Sequence, residues 1–206
     1  ELTELLQKAS RAYYQEAREI LTNFEYDRLY DELVELEKKT GVTLSNSPTR
    51  RVGYEVVSAL PKIRHPEPMK SLDKTKDPQT LLDWLGPHEA LLSWKLDGLT
   101  VVLTYENGTL VQAATRGNGE IGEEITANAR AFRNVPLTIP YKGSMVVRGE
   151  AILSYKDFER VNETLDAEAR YKNPRNLCSG SVRQLNSAVT AERGVCFLAY
   201  ALIGAE

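Results

Sequence analysis

The sequence predicts an α+β fold, a helical hairpin followed by a domain built on antiparallel sheet. Two periodicities and a change of composition predict it. Apolar residues recur at helical spacing through the opening segment, and they alternate with polar ones from Ala90 to Thr115. Between these stretches lies a turn-rich, proline-bearing connector that fits neither pattern.

The first helix is carried by Leu2, Leu5, Leu6, Ala9 and Tyr13 and is expected to end near Glu16 or Arg18. The second opens at Thr22, because Thr22-Asn23-Phe24-Glu25 reads as a capping box, with threonine as N-cap and glutamate three positions on. Its apolar face is Tyr26, Leu29, Tyr30, Leu33 and Leu36. Lys38 and Lys39 suit the negative end of the helix dipole, and Gly41 suits the C-cap.

The connector follows, with Ser45-Asn46-Ser47-Pro48-Thr49-Arg50-Arg51-Val52-Gly53 rich in turn residues and Pro61, Pro66 and Pro68 keeping the chain extended to Met69. A short helix is expected from Pro78 to Trp84, introduced by Asp77. Ala90-Leu91-Leu92 and Leu99 to Tyr105 read as strands, and Glu106-Asn107-Gly108 breaks the meander as a hairpin turn. Further strands are expected at Ser144 to Leu153 and Gly194 to Ile203, with a helix from Tyr155 to about Ala169.

Composition narrows the function. At 206 residues, 42% hydrophobic and 27% charged, the chain has the make-up of a globular domain with a buried core. A formal net charge of −3 excludes a surface that attracts nucleic acid everywhere, so DNA would be held by a local basic patch or by regions outside this chain. The two cysteines, Cys178 and Cys196, and the two histidines, His65 and His88, lack metal-ligand spacing, which argues against a zinc centre. The thiols are expected to pack as small buried groups in a reducing compartment. No apolar run reaches bilayer length and no signal peptide opens the chain, so a cytoplasmic location is expected.

The most informative stretch is Ser93-Trp94-Lys95-Leu96-Asp97-Gly98, which puts a lysine and an aspartate at the mouth of a tight turn between two expected strands. Strands on either side would strip water from the ammonium, disfavour its charged form and prepare the amine to attack. The same four residues, Lys95 to Gly98, also fit a charged β-turn with a solvated lysine.

Further segments decide between these readings. They are Thr115-Arg116-Gly117-Asn118-Gly119, Val147-Arg148-Gly149-Glu150, Asn173-Pro174-Arg175-Asn176, Gly180-Ser181-Val182-Arg183-Gln184-Leu185 and Phe197-Leu198-Ala199-Tyr200. In this order and spacing they resemble the nucleotidyltransferase motifs of bacterial NAD-dependent DNA ligases. The opening hairpin, with Tyr13-Tyr14 and Glu25-Tyr26-Asp27, resembles that family's small N-terminal domain. The connector and Pro68-Met69-Lys70-Ser71-Leu72-Asp73 are similar as well.

The resemblance implies a helical domain over residues 1–45 that binds nicotinamide mononucleotide, and a partial nucleotidyltransferase domain of the DNA-ligase adenylation fold, akin to ATP-grasp, over 46–206. It implies that Lys95 attacks the α-phosphate of NAD, expels nicotinamide mononucleotide and carries AMP. The adenylate then passes to the 5′-phosphate of a DNA nick for sealing, as replication and repair require. Asp97 and Glu150 would act on ribose hydroxyls or on Mg²⁺ near the phosphates. Arg116 would meet ribose or phosphate, and Arg175 and Arg183 the dinucleotide phosphates or the DNA backbone. Ser71, Leu72, Ser93 and Leu96 would contact adenosine, and Tyr200 would stack on adenine or else pack as plain core. Tyr13, Tyr14, Asn23, Tyr26 and Asp27 would grip the nicotinamide half through aromatic faces and opposite charge, unless the tyrosines serve as hairpin core.

Four residues depart from the family pattern. Ser93 stands where a glutamate is usual, Asn23 and Asn118 where aspartates are, and Tyr14 where histidine is frequent. The sequence closes at Glu206, before the family's two later lysine motifs, so a C-terminally shortened chain is expected, contacting nicked duplex DNA mainly through other regions and acting as a monomer. Two readings remain beside the enzyme: a degenerate module that binds NAD or a partner without turnover, and an ATP-dependent ligase or capping-type guanylyltransferase, which shares the lysine motif but lacks the helical opening.

Overall fold

A computed structural model describes residues 1–15, 20–44, 47–49, 60–69 and 73–205. The two helices of the hairpin form, the expected end of the first at Glu16 or Arg18 lying outside the described residues. Helix α1 spans Leu2–Gln15 and helix α2 spans Asn23–Thr40. At the start of α2 the Thr22 hydroxyl accepts from the Glu25 N–H at 3.2 Å, while the Glu25 carboxylate accepts from the Thr22 N–H at 2.8 Å. This satisfies two amides that the helix itself leaves open. Gly41 closes the other end in the left-handed region, φ 67°, donating to the Glu37 carbonyl.

The second part begins with a three-residue strand, β1 (Lys62–Arg64), and then α3 (Pro78–Leu85), whose N-cap Asp77 accepts from the amides of Gln79 and Thr80. The main sheet is built from β2 (Leu99–Glu106), β3 (Thr109–Thr115), β5 (Ser144–Ile152) and β6 (Cys196–Ala205), in the order β3-β2-β5-β6 with every pair antiparallel. A smaller strand, β4 (Ile121–Glu123), pairs with β1. Asn107 at φ 50° and Gly108 at φ 77° turn β2 into β3, the two left-handed residues that a tight hairpin of the right twist demands.

Alternation along the strands sets two faces. Val101, Leu103 and Tyr105 of β2, with Ala151 of β5 and Phe197 of β6, enter the core. There they meet Ile125, Ala129 of helix α4 (Thr126–Ala129), Val161 of helix α5 (Tyr155–Glu163), and Leu177, Cys178 and Val182 of helix α6 (Pro174–Val182). Helix α7 (Ser187–Arg193) completes the layer. The residues between, Thr100 and Glu150 among them, occupy the other face. The α+β class is therefore as expected.

Two of the expected elements differ from what the structure shows. Ala90-Leu91-Leu92 forms no strand and pairs with none, and Leu91, Leu92 and Trp94 are each more than nine-tenths exposed. β-forming side chains do not make a strand without a neighbouring backbone, and β2 finds its ladder only from Leu99, opposite Ala151. The helix opening at Tyr155 ends at Glu163 rather than near Ala169, where Thr164 turns its hydroxyl back onto the Val161 carbonyl at 2.7 Å. A separate 3₁₀ turn covers Ala167–Ala169.

Candidate active site

The site gathers where β2 begins and β5 ends. Gly98 is buried there because nothing larger fits: a Cβ at this position would lie 2.0 Å from the Ala151 carbonyl oxygen. The glycine of the lysine motif is thus a point of backbone contact between two strands. Just before it, Asp97 accepts from Arg175 at 3.0 Å, and Arg175 stands in the first turn of α6 behind its N-cap Asn173.

Glu150 is the buried acid of the site. Thr100, its partner across the β2–β5 ladder, donates its hydroxyl to the carboxylate at 3.0 Å. Burial pushes the Glu150 carboxyl above the usual range, opposed by the Thr100 hydroxyl, the Arg175 guanidinium, the Gly98 N–H and the Lys95 ammonium. Lys95 and Arg175 are therefore close enough to Glu150 to act on it electrostatically. Tyr200 belongs to the same group: burial and the Glu150 charge push its hydroxyl up, opposed by the neighbouring Thr100 hydroxyl. Being 55% exposed, its ring is no part of the core.

Lys95 itself is exposed, as is Ser93, while Leu96 is half-buried. The expected desolvation by flanking strands is not met, since the residues before Lys95 form no strand and the side chain is exposed.

Arg116 sits at the end of β3 in a loop folded tightly on itself. Gly117 has φ 57°, and a Cβ there would lie 1.9 Å from the Ile121 carbonyl oxygen. Asn118 accepts from the amides of Glu120 and Ile121 at 2.9 and 2.8 Å, so this substitution for the usual aspartate caps the loop. The Arg116 Nε donates to the Met69 carbonyl at 3.3 Å. Beneath the loop, His65 places Nε2 3.1 and 3.2 Å from the carbonyl oxygens of Thr115 and Arg116. Two carbonyls can only accept, so Nε2 carries the hydrogen. Burial lowers the pKa of this ring and keeps it neutral.

Arg183 is committed inward. It donates to Glu123 at 2.6 Å and to the Ser179 hydroxyl, beside the Thr115 hydroxyl that also bonds Glu123. On the hairpin, Tyr26 shares a 2.7 Å hydrogen bond with Ser10 and stacks on Tyr30 with centroids 6.3 Å apart. Asp27 pairs with Lys74. Tyr13, Tyr14 and Asn23 lie on the two helices with their side chains outside the described residues, as are Ser71 and Leu72 altogether.

Sequence reading missed Thr100, His65, Glu123 and Lys74. Thr100 lies two residues after Gly98 in the motif, but its link to Glu150 depends on a strand register that one sequence does not print. Among the described residues no group of three or more acids, histidines or cysteines could hold a metal.

Around the start of β2 and the end of β5 the fold thus brings together an amine, two carboxylates, the Arg175 guanidinium and a half-exposed aromatic ring. The family described as NAD-dependent DNA ligase adenylation domain matches residues 57–206. The chain belongs to this family. A second family, DNA ligase-like N-terminal NAD+-binding domain, matches residues 1–53. A DNA ligase of Lachnoclostridium phytofermentans is 64% identical over 204 residues, 98% of this chain and 31% of its own length. One from Ruminiclostridium cellulolyticum is 63% identical over the same shares, and one from a Sulfurovum species 42% identical over 96% of this chain. The adenylation domain and its helical opening thus span about a third of the length of these ligases. No described helix is long and apolar enough to cross a membrane.

Proposed function

We propose that this chain is the part of an NAD-dependent DNA ligase in which the enzyme takes AMP from NAD. Lys95 is the nucleophile: its deprotonated Nζ forms a bond to the α-phosphorus, the bond from that phosphorus to the bridging oxygen breaks, and nicotinamide mononucleotide leaves. The AMP so held then passes to the 5′-phosphate of a nick in duplex DNA. The observation that supports this most is the convergence of Lys95, Arg175 and Tyr200 on Glu150, four residues from four separate motifs.

Each neighbour has a task. Glu150, fixed by Thr100, accepts from ribose hydroxyls. Tyr200 stacks on the adenine. Arg116 and Arg175 offer guanidinium donors to ribose and phosphate oxygens, and Asp97 holds Arg175 in place. Arg183 acts through Glu123 by fixing the loop that carries Arg116. Leu96, Ser93, Ser71 and Leu72 shape the adenosine pocket, while Tyr13, Tyr14, Asn23, Tyr26 and Asp27 receive the nicotinamide half.

Magnesium fits in one form only. A Mg²⁺ ion held mostly by phosphate oxygens and water needs one or two protein carboxylates, which Glu150 and Asp97 supply; a protein cage for it does not exist among the described residues. When bound, the ion neutralises phosphoryl charge. We place the activity in the cytoplasm, on nicked duplex DNA contacted mainly beyond this chain.

The test is to incubate the full gene product carrying this chain with NAD and Mg²⁺ and weigh it intact. One added AMP, mapped to Lys95 and lost in Lys95→Ala, is expected. No adduct, with NAD binding that survives Lys95→Ala, would leave a binding module without turnover; an adduct from ATP or GTP but not NAD would make it a different nucleotidyltransferase.

A further inference from the structure

Helix α2 carries Asp27 and Asp31 one turn apart, and Lys74 and Lys76 meet them from a non-helical segment. Lys74 Nζ lies 3.3 Å from Asp27 Oδ1, and Lys76 Nζ lies 2.9 Å from Asp31 Oδ2. The two ion pairs stand as successive rungs: lysines two residues apart meet aspartates four residues apart on the helix. Lys76 holds the Asp31 carboxyl below its ordinary range, and Asp31 raises the ammonium in return.

The upper rung has a third member. Lys74 Nζ also stands 5.6 Å from the centre of the Tyr30 ring, which in turn stacks on Tyr26 at an interplanar angle of 25°. A carboxylate beside stacked aromatic faces is the setting that favours a cation with a delocalised or exposed positive charge. Here the chain fills it with its own ammonium.

We propose that Lys74 is a specificity-determining residue: its ammonium occupies the carboxylate-and-aromatic seat on α2 that the positively charged nicotinamide ring of the donor takes, and donor entry displaces it. This rests on the reading above that Tyr26 and Asp27 receive the nicotinamide half. Lys76, bound to Asp31, keeps the displaced lysine nearby, so the seat refills once nicotinamide mononucleotide leaves. Both ion pairs are exposed, and contacts of this kind are weak enough for a ligand to replace.

Calorimetry with nicotinamide mononucleotide on this chain tests the idea, with AMP as the control ligand. Lys74→Met is expected to tighten the mononucleotide by about two- to thirtyfold, the range that an exposed ion pair plus an exposed cation–π contact allows. Lys76→Met gives a smaller gain, and AMP affinity does not change. Raising the salt to about 0.5 M, where screening shortens to a few ångströms, removes most of the difference between wild type and Lys74→Met. Unchanged or weaker mononucleotide binding in Lys74→Met, with wild-type binding intact, overturns the proposal alone. A wild-type chain that binds AMP but not the mononucleotide overturns the nicotinamide assignment of α2, and the proposal with it.

Discussion

Arg183 donates to Glu123 across 2.6 Å, and the carboxylate it meets has only 3% of its side chain exposed. The pair ties α6 to β4 and so supports the loop that carries Arg116. Removing one partner strands the other. Glu123→Ala is expected to lower stability by about 3 kcal/mol in a urea titration, since breaking a buried pair leaves a desolvated charge. A change below about 1 kcal/mol would show that the guanidinium finds water instead, its side chain being 24% exposed.

Gly98→Ala puts a methyl group against the Ala151 carbonyl. The strands must part at that point, so a loss of about 2 kcal/mol or more is expected, with faster amide exchange at Leu99 and Thr100 before the rest of β2. Exchange unchanged at those two amides would mean that the strands had room to shift.

Lys95→Ala removes an exposed side chain with no packing role. Its melting free energy is expected to stay within about 0.5 kcal/mol of the wild type. A larger loss would make Lys95 a structural residue and weaken the case for it as nucleophile.

How much of this was legible in the sequence depends on what each signal reports. Thr22, Glu25 and Gly41 announce the ends of α2 through local chemistry, and all three cap it. Asn107-Gly108 likewise names its own turn. Ala90 to Leu92 misled because periodicity reports which side chains suit a sheet, not whether a neighbouring backbone is there. Helix α6 went unread because Ser179, Gly180 and Ser181 are poor helix formers; its start signal, Asn173 before Pro174, was the readable part. In the site, Lys95, Asp97, Glu150 and Arg175 came from motif resemblance. The bond from Thr100 to Glu150 joins residues 50 apart and belongs to the register of the sheet.

Acid is expected to unfold the protein partly through Asp157. Burial would raise this carboxyl, but hydrogen bonds from Arg133, Ser154 and Arg160 hold it at about 2. Because the folded value lies below the unfolded one of roughly 3.9, its contribution is full above pH 4 and disappears as pH falls toward 2. With half-exposed arginines as partners, the amount is about 1 to 2 kcal/mol. Asp157→Asn should flatten the stability profile between pH 4 and pH 2, and a profile as steep as the wild type's would assign acid lability to other groups.

The clamp of Gly98 on Ala151 also sets how far the Lys95 amine can roam. Lys95 is anchored three residues from a fixed point, a leash of roughly 10 Å. Confined to a volume of that radius, one amine is present at an effective concentration on the order of tenths of a molar. If a nucleotide rests on Glu150 and Tyr200 as proposed, the amine is close by whether or not the leash is taut, and what remains is to orient it.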